Sequence, residues 1–303
     1  MVACLIRSSS PTRQRFMLRP THRSWRRPSP LPGFGLAMGH TLSWLCLIVL
    51  LPFSVLFLRA ASGGWNGFIH AVWTPRLVAS YQLTFGTALV AASINALLGL
   101  LCAWMLVRYR FPARRLLDSL IDLPFALPTS VAGITLAFIF GPNGWIGAWF
   151  ASRDIPLAFN ATGIVIALTF VGLPFVVRTL QPVIEELGTE EEEAAGLLGA
   201  SRAATLRRVI WPALRPALLT GFGLAFARGV GEYGSVIFIA GNRPFVSEIT
   251  SLLVVTKLEQ FDFDGAASVA VVMLAASFGI LFALNLLHRV LEPRSSTQTG
   301  CST

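Results

Sequence analysis

Residues 189–216 read TEEEEAAGLLGASRAATLRRVIWPALRP: four glutamates, a small-residue stretch, then a basic run ending in proline. Thr189 followed by acids predicts a helix N-cap, since carboxylates suit the positive end of a helix dipole. Ala194 and Ala195 offer a small face that another surface can approach closely. Gly199 suits a sharp turn or C-cap. Ser201 can cap a second helix, ASRAATLRRVI, whose Arg207 and Arg208 suit a helix C-terminus. Pro212 is expected to stop that helix at the membrane surface. The stretch holds no nucleophile–base pair, metal-ligand set or phosphate loop. It predicts a helical hairpin shaped to be gripped.

The surroundings are apolar. Of 303 residues, 54% are hydrophobic and 13% charged, where soluble domains average about 25% charged. No Asp, Glu, Lys or Arg occurs in residues 28–58, 77–107, 123–152, 155–177 or 265–288, and 216–242 holds only Arg228 and Glu232. A membrane-crossing helix needs about 20 such residues. The reading is an all-α, polytopic membrane protein of six transmembrane helices. Pro52, Pro124, Pro128 and Pro174 are tolerable inside such a bundle. The net charge of +9 does not point to nucleic acid, because seven of the 24 basic residues lie in the first 27 positions and most others flank apolar runs. Cys4, Cys46, Cys102 and Cys301 show no CxxC, and His22, His40, His70 and His288 are scattered. No metal site and no disulfide frame is expected.

Charge also predicts the topology. The tail has seven arginines and no acid up to residue 27. Segment 108–118 has Arg108, Arg110, Arg114 and Arg115, and the charged segment 178–215 is the longest. The positive-inside rule places both termini and these two segments in the cytoplasm. Segments 59–76 and 141–160 carry Trp65, Trp73, Trp145 and Trp149, which suit an outer interfacial belt. The acid-free tail also resembles an organelle transit peptide, so a plastid envelope stands beside the bacterial reading. A cytoplasmic tail or an over-long start is the favoured account.

Glu193-Ala194-Ala195, three residues, Gly199, nine residues and Val209-Ile210-Trp211-Pro212 together resemble the EAA signature of ABC-importer permeases, with Val209 in place of Ile and Trp211 in place of Leu. DLPFALPTSVAGITLAFIFGPNGWIG (122–147), TLQPVIEELGTEEEEAAGLLGAS (179–201) and ALLTGFGLAFARGVGEYGSVIFIAGN (217–242) are similar to the T-type (CysT/CysU) permeases of sulfate/thiosulfate importers, over about residues 40–292. The resemblance implies the ABC-importer permease (MetI-like) fold in the bacterial inner membrane. It also implies a hairpin, about 183–212, that docks on a separate ATPase subunit. The coupling residues would be Glu193, Ala194, Ala195, Gly199 and Pro212. A second, W-type permease and an extracytoplasmic sulfate-binding protein complete the implied complex. A molybdate permease is the nearest alternative.

No GxxxxGK[ST] loop precedes Lys257, the one lysine, so no cofactor is expected on this chain. ATP and Mg belong on the partner ATPase, and this chain is read as no enzyme. The organisation expected is a basic tail (1–35), a six-helix permease domain (36–292) and a short tail (293–303). A secondary transporter would more often show inverted repeats and several midplane acids. Here Arg228 and Glu232 alone stand inside a span, four residues apart and expected on one helical face. Each charge would cost about 2.5–3.5 kcal/mol at a helix centre, so both face protein or water. They form either a pathway site for an oxyanion or an interior ion pair. The prolines of LPFALPTSVAG either break a helix or mark a kink or helix start. Gly279 and Ala283 suit helix packing. Glu248, Glu259, Asp262 and Asp264 form an outer acidic segment that either meets the binding protein or is simply solvated.

Overall fold

The computed structural model describes residues 34–291. Residues 1–33 and 292–303, with Cys4, His22 and Cys301, lie outside them, and so do both expected tails almost entirely. The chain divides into two compact units, 1–51 and 52–303. In the first, the described residues are the opening turns of α1 (Phe34–Ala61), apolar all round and exposed throughout. A helix of that character suits a lipid surround.

The second unit continues through α2 (Gly64–Val72), α3 (Pro75–Arg108), α4 (Arg114–Ile121), α5 (Leu123–Ala126), α6 (Thr129–Phe140), α7 (Gly147–Ala151), α8 (Ala161–Leu187), α9 (Glu190–Leu197), α10 (Arg202–Thr205), a π-turn (Leu206–Ile210), α11 (Trp211–Val230), α12 (Val236–Ile239), α13 (Thr250–Glu259) and α14 (Phe263–Leu291). No strand occurs among the described residues. Thr74 caps α3 by accepting from the Leu77 N–H, with Pro75 in the first turn, where its missing donor costs nothing. Asn160 caps α8 by accepting from the Gly163 N–H.

Among the described residues, five helices are long and apolar enough to cross a membrane. The remaining apolar run, 123–152, is no single long helix but is broken into α5, α6 and α7. Pro124 sits in the first turn of α5 and Pro128 is the N-cap of α6. A residue before proline avoids the α region, so Leu127 is extended and the helix restarts after it. The 12-residue α6 spans about 18 Å, short of the roughly 30 Å hydrocarbon layer.

The core is formed where α3, α8 and α11 cross. Ala88, Ala91, Ala92 and Ala103 of α3, Ile164, Val176 and Leu180 of α8, and Leu214, Ala225 and Phe226 of α11 are buried. Small residues let the backbones approach, as expected where lipid offers no hydrophobic drive between helices. A Cβ on Gly99 would lie 2.7 Å from Val176 Cγ1. Gly279, by contrast, faces open space within this chain. Asn95 lies in this core, buried beside Gly172, with neither amide atom bonded.

Candidate functional site

The sharp turn predicted at Gly199 is present between α9 and α10, and it is built from backbone bonds. The Ala200 N–H bonds to the Ala195 carbonyl at 3.0 Å and the Gly199 N–H to that of Gly196 at 3.0 Å. This is the Schellman pairing at the end of α9, and it requires a left-handed residue at Gly199, whose φ is +80°. A Cβ there would meet nothing within 4 Å, so glycine is needed for its backbone conformation and not for space. Ser201 caps α10 as expected, accepting from the Ala204 N–H at 3.3 Å. Thr189 corrects its expectation: it stands at the N-cap position but its side chain makes no capping bond.

Pro212 also departs from expectation. It does not stop the helix; residues 202–230 run on as one 29-residue helix. The Trp211 N–H reaches back five residues to the Leu206 carbonyl. The π-turn of 206–210 is the physical reason. Proline lacks the N–H that would bond to residue 208 and its ring would press on that carbonyl; one residue of slack moves the carbonyl aside. At about 1.5 Å per residue the helix is about 43 Å long, so its first turns extend beyond a hydrocarbon layer of about 30 Å. Arg207 and Arg208 therefore lie exposed in the second turn of this helix and not at its C-terminus.

No residue of α9 is buried. Glu193 and Ala194 are exposed and Ala195 is half-buried. Leu197 and Leu198 are 90% and 89% exposed. One side-chain bridge fastens α9: Arg108 Nη2 donates to Glu192 Oε1 at 2.7 Å, while the guanidinium lies 5.2 Å from the Trp104 ring. The hairpin thus presents two leucines and a row of carboxylates on a preset frame.

The second candidate site differs from its sequence reading in one respect. Helix α11 ends at Val230, with Gly231 as its C-cap, so Arg228 and Glu232 do not share a helix. They are still bonded as an ion pair. Glu232 is buried, and its Oε1 also accepts from the Ser235 N–H at 2.8 Å and hydroxyl at 2.9 Å. Arg228 keeps 32% of its side chain exposed. The 231–235 turn lies against α6 so closely that a Cβ on Gly133 would overlap the Ser235 backbone and one on Gly234 would overlap Thr129.

The acidic segment with Glu248, Glu259, Asp262 and Asp264 is largely neutralised within the chain. Glu248 is buried and held by Arg76 through two bonds, of 2.7 and 2.6 Å. Asp264 pairs with Arg59 at 3.6 Å. Asp262 pairs with Lys257 at 2.7 Å, and that ammonium, with the Gly265 N–H, holds its carboxyl below the usual range. Among the described residues, no group of three metal-ligating side chains occurs.

The sequence reading missed Arg178. All five of its N–H donors are used: Nε and Nη2 on Asp122, Nη1 on Asp118 at 2.7 Å and on Gln181 at 2.6 Å, and Nη2 also on the Asp118 carbonyl. The signal was present, since Asp118 and Asp122 are the only acids of segment 108–128 and stand four apart.

Among the described residues, five long apolar helices, a broken third apolar run and an exposed helix–turn–helix stand together in one chain. Residues 95–297 match the family described as "binding-protein-dependent transport system inner membrane component", and the chain belongs to it. Within that family it is 50% identical to the "Sulfate transport system permease protein CysT" of Escherichia coli K12, across 85% of this chain and 93% of that one. It is 47% identical to the CysT of a Synechocystis strain over 82% of this chain and 87% of that protein. The fold matches a chain of a bacterial ABC transporter involved in import of the acidic polysaccharide alginate (TM-score 0.70, 12% identity, 86% of this chain and 96% of that one). It also matches a chain of the MetNI methionine ABC transporter in an inward-facing conformation (TM-score 0.57, 17% identity, 72% and 96%).

Proposed function

We propose that this chain is the transmembrane permease subunit of an ABC importer for sulfate or thiosulfate, in a bacterial cytoplasmic membrane, with both termini cytoplasmic. The 50% identity to curated sulfate permeases over nearly their whole length carries the reading. ATP and Mg sit on a separate ATPase, which grips the hairpin through Glu193, Ala194, Ala195 and the leucines beside Gly199. Pro212 acts through the π-turn, which sets how the hairpin joins its transmembrane helix. A second, W-type permease and an extracytoplasmic sulfate-binding protein complete the assembly.

Arg228 and Glu232 are assigned to the translocation pathway. Arg228 offers a partly exposed cation to a divalent oxyanion, and Glu232 both anchors it and weakens its hold on the anion. A buried Glu bonded to Ser235 supports the anchoring half of this reading.

The test is reconstitution in proteoliposomes with the cognate ATPase, the partner permease and the sulfate-binding protein. ATP-dependent sulfate uptake is expected, and ATP hydrolysis by the purified chain alone would overturn the assignment. For the pathway, Arg228→Leu and Glu232→Leu are compared with the double variant. A pathway role predicts a folded double variant that hydrolyses ATP but moves sulfate slowly. Full recovery of flux in the double would leave only an interior ion pair, since each single leaves one charge unpaired.

A further inference from the structure

The hairpin and the broken third segment are joined by one side chain. Helix α8 ends at Leu187 and only Gly188 and Thr189 separate it from α9, so any displacement of the hairpin pulls on the last turns of α8. Arg178 sits on those turns. Its guanidinium binds Asp118 in α4 and Asp122, the residue between α4 and α5, and Gln181 Nε2 adds a 3.4 Å bond to Asp118. One helical turn earlier on α8, Phe175 meets the Phe125 ring of α5 edge-on at 5.1 Å. Beyond the Leu127–Pro128 break, α6 rests on the 231–235 turn, whose Glu232 pairs with Arg228 in the last turn of α11. Each step is a direct contact or a short chain junction between elements, the kind of network that can carry coupling between distant sites.

We propose that Arg178 is a positioning residue for coupling: its clamp on Asp118 and Asp122 makes α4, α5 and α6 follow the hairpin, so that ATPase closure reaches the Arg228–Glu232 turn. A bidentate arginine suits such a joint, because its planar fork fixes direction as well as distance. A lysine would supply the charge without the fork. The proposal rests on the permease reading above.

The test measures ATP hydrolysed and radiolabelled sulfate moved by the reconstituted importer. Arg178→Gln and Arg178→Lys are expected to assemble in normal yield and to hydrolyse ATP, while sulfate moved per ATP falls by about tenfold, within the span of measured coupling effects. Asp118→Asn, which keeps Asp122, is expected to give a smaller loss and guards against an Arg178 variant that does not assemble. Sulfate flux and ATP hydrolysis falling together with assembly yield would mean a merely structural clamp and overturn the proposal. So would an unchanged ratio in all three variants. Failure of the wild-type complex to move sulfate at all would instead overturn the permease reading.

Discussion

The crossing of α3, α8 and α11 and the hairpin of α9 and α10 are held by opposite means. At the crossing, Gly99 lies against Val176 and Ala88 against Gly229, with contacts so close that a methyl group has no room or little. The hairpin has no buried residue in α9 and open space around Gly199. Its shape comes from φ, from two backbone bonds and from one serine cap. A region that must stay packed in lipid is specified by volume. The hairpin is specified by local backbone geometry, and its Leu197 and Leu198 stay exposed.

Substitutions that add volume should therefore separate the two regions. The largest effect is expected at Gly99→Leu, which forces the α3–α8 crossing apart; overpacking costs about 1–3 kcal/mol or more, and the measurement is the yield of detergent-stable protein. Gly199→Leu adds the same volume where a Cβ meets no neighbour, so it should insert and purify normally. Its cost is the left-handed backbone, about 1–2 kcal/mol, and sulfate uptake and ATPase binding should fall severalfold. Gly199→Asn should retain much of both, because Asn tolerates that conformation. If Leu and Asn behave alike at 199, side-chain bulk at the docking face and not φ is what matters.

Smaller effects sharpen the hairpin side. Glu192→Gln removes the bridge to Arg108, and because both groups are partly buried its loss should weaken ATPase binding more than an exposed pair worth about 0–1 kcal/mol. Ser201→Ala removes a working cap and should cost the second helix about 1 kcal/mol, read as faster amide exchange over 202–206. Thr189→Ala should be nearly silent, within about 0.5 kcal/mol, since its side chain caps nothing. A Thr189→Ala penalty equal to that of Ser201→Ala would show that the two helix starts are not built differently.

What sequence alone determined here was local. Uncharged runs marked the apolar segments, because a charge in lipid is expensive wherever the chain folds. The turn at Gly199 and the cap at Ser201 were legible because each depends on bonds spanning a few residues. The spacing from Glu193 to Pro212 was legible as a family signature. Tertiary structure decided what depended on distant partners or on competition between local rules. Pro212 sits inside a continuous helix, since packing in a long span outweighs one missing N–H once a π-turn relieves the clash. The third apolar run is broken at Leu127–Pro128, where its pieces pack on a turn about a hundred residues away. Arg178 meets Asp122 across 56 residues, and Arg76 meets Glu248 across 172. No periodicity records such pairs, because a buried charge is stabilised by whichever opposite charge the fold brings within reach.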